Sequence, residues 1–167
     1  MMADTLQMMK DFLSSASDDE WFFVATTTNY DDKDLLHWMV KQPDCPQAAA
    51  HAIYWMMGPG HYTKLKSVDD ASEWEKPTFK LLRDIEKSFG AKFYKDSDIG
   101  FAPAADSMGE INWVDEYPES PIGVPIPEFM KAQTPGRNLS RSDIPDGWDD
   151  GMPPHVVEAV WKESEEE

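Results

Sequence analysis

The fold of this chain is decided between residues 17 and 57, which have the sequence SDDEWFFVATTTNYDDKDLLHWMVKQPDCPQAAAHAIYWMM. Ser17 precedes three acidic residues, a combination typical of a helix N-cap followed by acids in the first turn. Apolar residues then recur at helical spacing until the two prolines of the segment Gln42–Pro46, where proline removes backbone donors. An alanine-rich run follows and ends at Met57. The stretch therefore predicts three short helices that pack as antiparallel neighbours.

Helical patterns continue on both sides of this stretch. Apolar residues at helical spacing predict a helix over Thr5–Ser14 and another over Pro77–Phe89, which Gly90 ends. Eight of the thirteen prolines lie between Pro118 and Pro154, so regular structure is not expected there. The prediction is a mainly α, single-domain fold over residues 1–167, a compact helical-hairpin bundle. It has a helical core (1–95), a docked Pro-rich segment with helical turns near Phe129–Ala132 (96–154), and a C-terminal helix with a frayed acidic tail (155–167, fraying from Glu163).

Charge is the most informative number in the composition. The chain has 167 residues, with 32 Asp and Glu against 15 Lys and Arg, so its formal net charge is −17. Such a surface steers the protein toward cationic partners. Direct binding to nucleic acid or to an anionic membrane is not expected, because both would need a basic patch. A monomer or a small homo-oligomer is expected.

The cellular location is predicted from the cysteine content and from the lack of a signal-peptide pattern or a membrane-spanning run. Cys45 is the single cysteine, so no internal disulfide forms, and a reducing compartment is favoured. The first 20 residues have neither a basic start nor a long apolar run, so they do not resemble a signal peptide. No apolar run reaches the roughly 18 residues of a membrane span. The prediction is a cytoplasmic protein.

Residues that could carry chemistry are few. The spacing of the four histidines (His37, His51, His61 and His155) matches no zinc motif. Cys45 and His51 could form a nucleophile–base pair, but no orienting signature surrounds them, and a partly buried thiol in a turn is favoured. We therefore predict no catalytic residue, no cofactor and no metal, and hence no enzyme.

A loop near the C-terminus combines acids with an aromatic residue. Residues 143–151 have the sequence DIPDGWDDG. They fail the calcium-loop pattern, because a count from Asp146 places Trp148 at a ligand position. The alternatives are a partner-binding loop, a calcium site or an ordinary solvated turn. We predict a partner-binding surface made of Asp143, Asp146, Trp148, Asp149 and Asp150. The competing acidic site lies at the helix starts, at residues 18–20 and 31–32.

Tryptophans recur at a regular interval in the first third of the chain. Trp21, Trp38 and Trp55 are each separated by 17 residues. This spacing is compatible with a repeat of two helices per unit and equally with chance among seven tryptophans. The sequence leaves both explanations open.

Residues 21–62 contain three motifs: the Asn-Tyr-Asp-Asp start at Asn29, the Trp38-Met39 pair followed by Gln-Pro-Asp-Cys, and the alanine-rich helix that ends in Tyr54-Trp55. Together they resemble a bacterial family known as domain of unknown function 4274. The family's usual acid after the cysteine is replaced by Pro46. The resemblance implies a helical bacterial protein and transfers no catalytic residue. Small acidic proteins of this kind also resemble immunity proteins, by analogy only.

These observations lead to a hypothesis about function. A nuclease carries a basic groove for phosphates, so an acidic protein without catalytic groups could bind and block it. We expect an immunity-type protein that occludes a cognate bacterial toxin with a basic surface. The alternative is an adaptor or chaperone for a basic secreted effector. An enzyme with an unusual site near His37, His51 and Cys45 is the third possibility.

Overall fold

The computed structural model describes residues 1–30, 33–116 and 118–166. Within these ranges the chain forms nine α-helices and two 3-10 helices, joined by turns and isolated bridges without a β-strand. The elements are α1 (Ala3–Ser14), α2 (Asp18–Thr27), α3 (Asp34–Met39), α4 (Gln47–Met56), α5 (Pro59–Tyr62), η1 (Val68–Asp70), α6 (Lys76–Gly90), α7 (Trp113–Glu116), α8 (Glu128–Lys131), η2 (Arg141–Asp143) and α9 (Pro154–Glu166). The predicted mainly α fold class is confirmed.

The start of α2 follows the local chemistry predicted for it. Ser17 Oγ accepts the Glu20 backbone N–H at 3.2 Å, and Glu20 Oε1 accepts the Ser17 N–H at 2.9 Å. This reciprocal pair is a capping box, which satisfies two donors that the first helical turn leaves open. Asp31 and Asp32, predicted to cap the next helix, lie outside the described residues. Helix α3 begins at Asp34.

Helix α4 is the centre of the core. Its residues from Ala48 to Trp55 are all buried, and it packs between α2 and α6. The prediction that the three helices of residues 17–57 pack as antiparallel neighbours is wrong for the consecutive pairs, because α2 packs mainly on α4 while α3 packs on α1. Helix α3 has only six residues. The turn that follows it reverses the chain, and α4 then packs against α2.

The Pro-rich segment is docked on α4 through buried hydrogen bonds. The Met130 carbonyl accepts the Trp55 Nε1–H at 2.8 Å and the His51 Nε2–H at 2.7 Å. The other ring nitrogen of His51 accepts the Thr134 hydroxyl at 2.8 Å. Thr134 in turn exchanges two backbone hydrogen bonds with Phe101. These contacts fix the segment at two neighbouring points of the core.

The structure bears on one question that the sequence left open, and it differs from one further prediction. Trp21 and Trp38 stack with ring centroids 6.0 Å apart, whereas Trp55 contacts Met130, so the three tryptophans do not occupy equivalent positions of a repeat. Helix α9 continues through Glu166 rather than fraying from Glu163, and its Lys162 pairs with Glu158 one turn earlier at 3.3 Å. None of the helices in the described ranges has both the length and the apolar character that crossing a bilayer requires.

Candidate partner-binding surface

The acidic loop predicted from the sequence, residues 143–151, lies across α1 and α2. Its Trp148 ring meets Phe12 of α1 edge-on at 5.7 Å and Phe23 of α2 edge-on at 6.2 Å between centroids. Edge-to-face aromatic pairs of this kind add to the stabilisation from buried area. Trp148 is half-buried and packs on the core cluster. In this structure the ring therefore anchors the loop to its own chain.

Glycines and backbone hydrogen bonds fix the shape of the same loop. Gly151 has φ +74°, and a Cβ built on it would lie 2.8 Å from the backbone of Thr28 at the end of α2. Two backbone hydrogen bonds close the turn between Asp149 and Met152, at 3.1 and 2.9 Å. The loop therefore presents its side chains from a fixed backbone that rests directly on α2.

Substitution of Gly151 by alanine should destabilise the fold. The left-handed conformation and the contact with Thr28 should together cost roughly 2 kcal/mol of unfolding free energy. Urea unfolding of the variant measures this loss. Gly90→Ala is the matched control, because its Cβ would meet the Phe129 ring at an ordinary 3.6 Å. Equal stability of the two variants would contradict the packing of the loop on α2.

The acids of the loop divide into two groups. Asp146, Asp149 and Asp150 are exposed, so their carboxylates face solvent. The Asp143 carboxylate is used locally, because it accepts the Ser140 backbone N–H at 2.8 Å in the capping box of η2. Of the five predicted residues, the structure thus leaves three carboxylates of one loop exposed to solvent. It employs Asp143 as a cap and Trp148 as an anchor.

An apolar groove of about 270 Å³ adjoins the exposed acids. It is formed by the first turn of α1, the end of α2, the acidic loop and α9. Its lining is Met1, Met2, Thr5, Thr28, Asn29, Asp150, Met152 and Val160. Asp150 is the acidic member of this lining, so the groove can accept an apolar side chain while the carboxylate pairs with a neighbouring cation. Sequence reasoning missed the groove because its residues come from four separate parts of the chain.

The negative charge is concentrated in the same half of the sequence as the loop. Residues 96–167 contain 17 acidic and four basic residues, which is −13 of the net −17. One of those four, Arg137, pairs with Asp98 and Asp19 at 2.8 Å each, and these pairs hold the segment to the start of α2. The excess carboxylates attract positive charge and repel negative charge, so they favour the approach of a basic partner over an acidic one.

The residues considered for nucleophilic chemistry are not arranged for it. The buried Cys45 thiol donates to the Pro46 carbonyl at 3.6 Å, and burial raises its pKa well above the usual range. Both ring nitrogens of His51 are bonded elsewhere, to Met130 and Thr134. Cys45 and His51 therefore do not form the pair that the sequence allows.

The other histidines have local partners of their own. His61 Nε2 lies 2.8 Å from Glu75 Oε2, while Glu75 Oε1 accepts the Ser72 backbone N–H and hydroxyl. These hydrogen bonds, from Ser72 first and then His61, lower the pKa of Glu75 to about 2. The carboxylate stands between serine and histidine, so it cannot orient the imidazole as a base toward that hydroxyl. His155 packs against the Phe12 ring at 5.8 Å. No His, Cys, Asp and Glu cluster in the described ranges is arranged to hold a metal ion.

Comparison with known proteins gives one finding. A family model with the description Domain of unknown function (DUF4274) matches residues 16–90, from just before α2 to the end of α6. The match covers the motifs of residues 21–62 and adds η1 and α6 to them. No curated protein and no solved structure matches the chain. The acidic loop and six of the eight residues that line the adjoining groove lie outside the matched residues.

Proposed function

We propose that this chain, in which residues 16–90 belong to the DUF4274 family, is a binding protein that occludes a basic partner protein. The partner is a cognate bacterial toxin, of the nuclease class in the most specific form of the proposal. The chain acts by covering the partner's functional surface. The binding surface comprises Asp146, Asp149 and Asp150 together with the adjoining apolar groove.

A single observation carries the proposal: three exposed carboxylates stand on a fixed loop beside an apolar groove. Trp148 and Gly151 hold this loop on α1 and α2, so little conformational entropy is lost when a partner binds. The groove supplies apolar area, which contributes most to the lifetime of a complex. The carboxylates supply attraction and orientation.

The class of partner follows from charge. Nucleases must hold polyanionic substrates, so their active surfaces are rich in Lys and Arg. A chain with net charge −17 approaches such a surface along a favourable field. Once bound, its carboxylates stand where substrate phosphates would lie. The substrate is thereby excluded without any reaction on the inhibitor.

The family domain serves as the scaffold in this proposal. The loop contacts it at two points, through Trp148 on Phe23 and Gly151 on Thr28, both in or next to α2. Specificity for the partner would then reside in the segment after residue 95, while residues 16–90 supply the core. Chains that share the domain could therefore carry different binding loops.

The test uses the protein encoded beside this chain's gene as the candidate partner. Replacing Asp146, Asp149 and Asp150 by asparagine should slow association about ten-fold at low ionic strength. The dissociation rate should change much less, because apolar contacts govern it. Stopped-flow binding measures both rates. The difference between wild type and variant should shrink at about 0.5 M salt, where the screening length falls to a few ångström.

The control removes the same charge from other faces of the molecule. Asp44, Asp69 and Asp96 are exposed, and the triple asparagine variant carries the same net charge as the loop variant. It should associate nearly as fast as wild type. Equal slowing by both triple variants would remove the loop from the interface. A neighbouring toxin that stays fully active when co-expressed with the wild-type chain would overturn the proposed function itself.

A further inference from the structure

A second groove, of about 440 Å³, lies between the end of α3 and α6, and seven of its nine lining residues belong to the family domain of residues 16–90. Its floor is apolar, with Val40, Leu81 and Ile85 buried beneath it. Phe93 stands at its edge with 39% of its surface exposed. The groove therefore offers a floor for an apolar side chain and an aromatic edge beside it.

The rim of this groove is basic, unlike most of the surface. Lys41 and Lys87 line it from opposite sides, and both are exposed. Asp84 is the one acidic residue that lines the groove in the described part of the chain. Lys80 lies one helical turn before Asp84 on the same face of α6. The rim thus carries a net positive charge.

The start of α3 extends the basic character. Lys33 Nζ donates to Thr78 Oγ1 of α6 at 3.1 Å, which links the start of α3 to the first turn of α6. Lys33, His37 and Lys41 follow one another at a spacing of four residues. Burial first, and then the charges of Lys41 and Lys33, lower the pKa of His37 against the opposite effect of Asp34. The imidazole thus lies in a locally positive potential.

The contrast with the rest of the molecule is large. Residues 33–95 contain ten basic and eight acidic residues, a net +2, whereas the remaining residues sum to −19. A protein selected only for solubility would not need this separation. The molecule instead has two surfaces of opposite character: the acidic loop with its groove, and the basic groove on the family domain.

We propose that the α3–α6 groove is a second docking surface, which takes an acidic segment of a different protein. The segment places one aliphatic or aromatic side chain on the floor between Leu81 and Phe93. Its flanking carboxylates pair with Lys41 and Lys87. The chain then joins two partners, a basic one at the acidic loop and an acidic one at this groove. This second proposal stands whether or not the first partner is a toxin.

Protein is favoured over nucleic acid as the occupant for three reasons. The net charge of −17 repels an extended polyanion. Asp84 would oppose any anion placed between the lysines, and a nucleic acid brings more anionic groups along the groove than a short acidic segment does. A charged phosphate backbone cannot pack on the apolar floor, whereas the apolar face of an amphipathic peptide can. A short segment with few carboxylates meets the two lysines at little cost from the distant acids, which solvent screens.

The probe is a fluorescein-labelled peptide that copies residues 154–167 of this chain, PHVVEAVWKESEEE. It has the required chemistry, a tryptophan flanked by glutamates. The groove lining draws on α6 and on the residues directly after α3 and after α6. We expect saturable binding by fluorescence anisotropy to the intact protein, weakened at least ten-fold in the Lys41→Glu/Lys87→Glu variant. A peptide with alanine in place of its tryptophan should also bind more weakly.

Matched controls make each outcome decisive. Lys66→Glu/Lys162→Glu changes the net charge equally at two exposed lysines away from the groove, and it should bind like wild type. No binding of the probe, or equal loss in both double variants, overturns the proposal. Tighter binding of a single-stranded oligonucleotide than of the peptide at the same groove overturns the choice of protein. Sedimentation that reveals a dimer lost on reversal of Lys41 and Lys87 overturns the choice of a different protein and assigns a second copy.

Discussion

Trp55→Ala should destabilise the protein by about 4 kcal/mol, the usual cost of removing a fully buried tryptophan. The ring is inaccessible to solvent in the middle of α4, and its Nε1–H donates to the Met130 carbonyl at 2.8 Å. Alanine would leave both a cavity in the core and a weakened attachment of the Pro-rich segment. Since small domains are stable by roughly 5–15 kcal/mol, a loss of this size removes between about a quarter and four fifths of the stability. Urea unfolding monitored by circular dichroism measures the change.

The control is another tryptophan of the family domain. Trp74 is 73% exposed, so Trp74→Ala should change the free energy of unfolding by no more than about 0.5 kcal/mol. Trp55→Phe should fall between the two, because it keeps most of the volume and loses the donor. A Trp55→Ala variant as stable as Trp74→Ala would contradict the central position of α4.

Helix positions in the first 90 residues could be predicted because their signals are local. The Ser17 capping box, the prolines of Gln42–Pro46 and Gly90 each act on their own few residues. The packing order of the helices could not be predicted this way. It depends on the shortness of α3, which has only six residues, and on the burial of α4 from Ala48 to Trp55.

The candidate site was predictable in its acids and not in its geometry. The density of carboxylates at Asp146, Asp149 and Asp150 marks a surface loop in any fold. Whether Trp148 faces a partner or the core depends on Phe12 and Phe23, more than a hundred residues away in the sequence. The apolar groove beside Asp150 is likewise formed by residues that are distant in the sequence, so no local sequence pattern predicts it.

The attachment of the Pro-rich segment also has a consequence for acid stability. Burial lowers the pKa of His51 to about 4, although its hydrogen bond to Met130 acts in the opposite direction. The unfolded chain should have the ordinary value near 6.5. As the pH falls below about 6.5, His51 binds a proton in the unfolded chain but stays neutral in the folded chain. His51 therefore contributes stability at neutral pH that is lost between about pH 6.5 and pH 4.

The size of this effect can be isolated with a variant that cannot titrate. By linkage, the loss due to His51 should reach about 3 kcal/mol at pH 4. Glutamine at this position can still donate to Met130 and accept from Thr134. The stability of wild type minus that of His51→Gln, measured by urea unfolding, should therefore fall by about 3 kcal/mol from pH 7 to pH 4. Glu86, whose pKa is raised by burial, contributes in the opposite sense, but it is present in both proteins and cancels. A difference that stays constant with pH would show that His51 titrates normally in the folded protein, and the buried contact with Met130 would then be wrong.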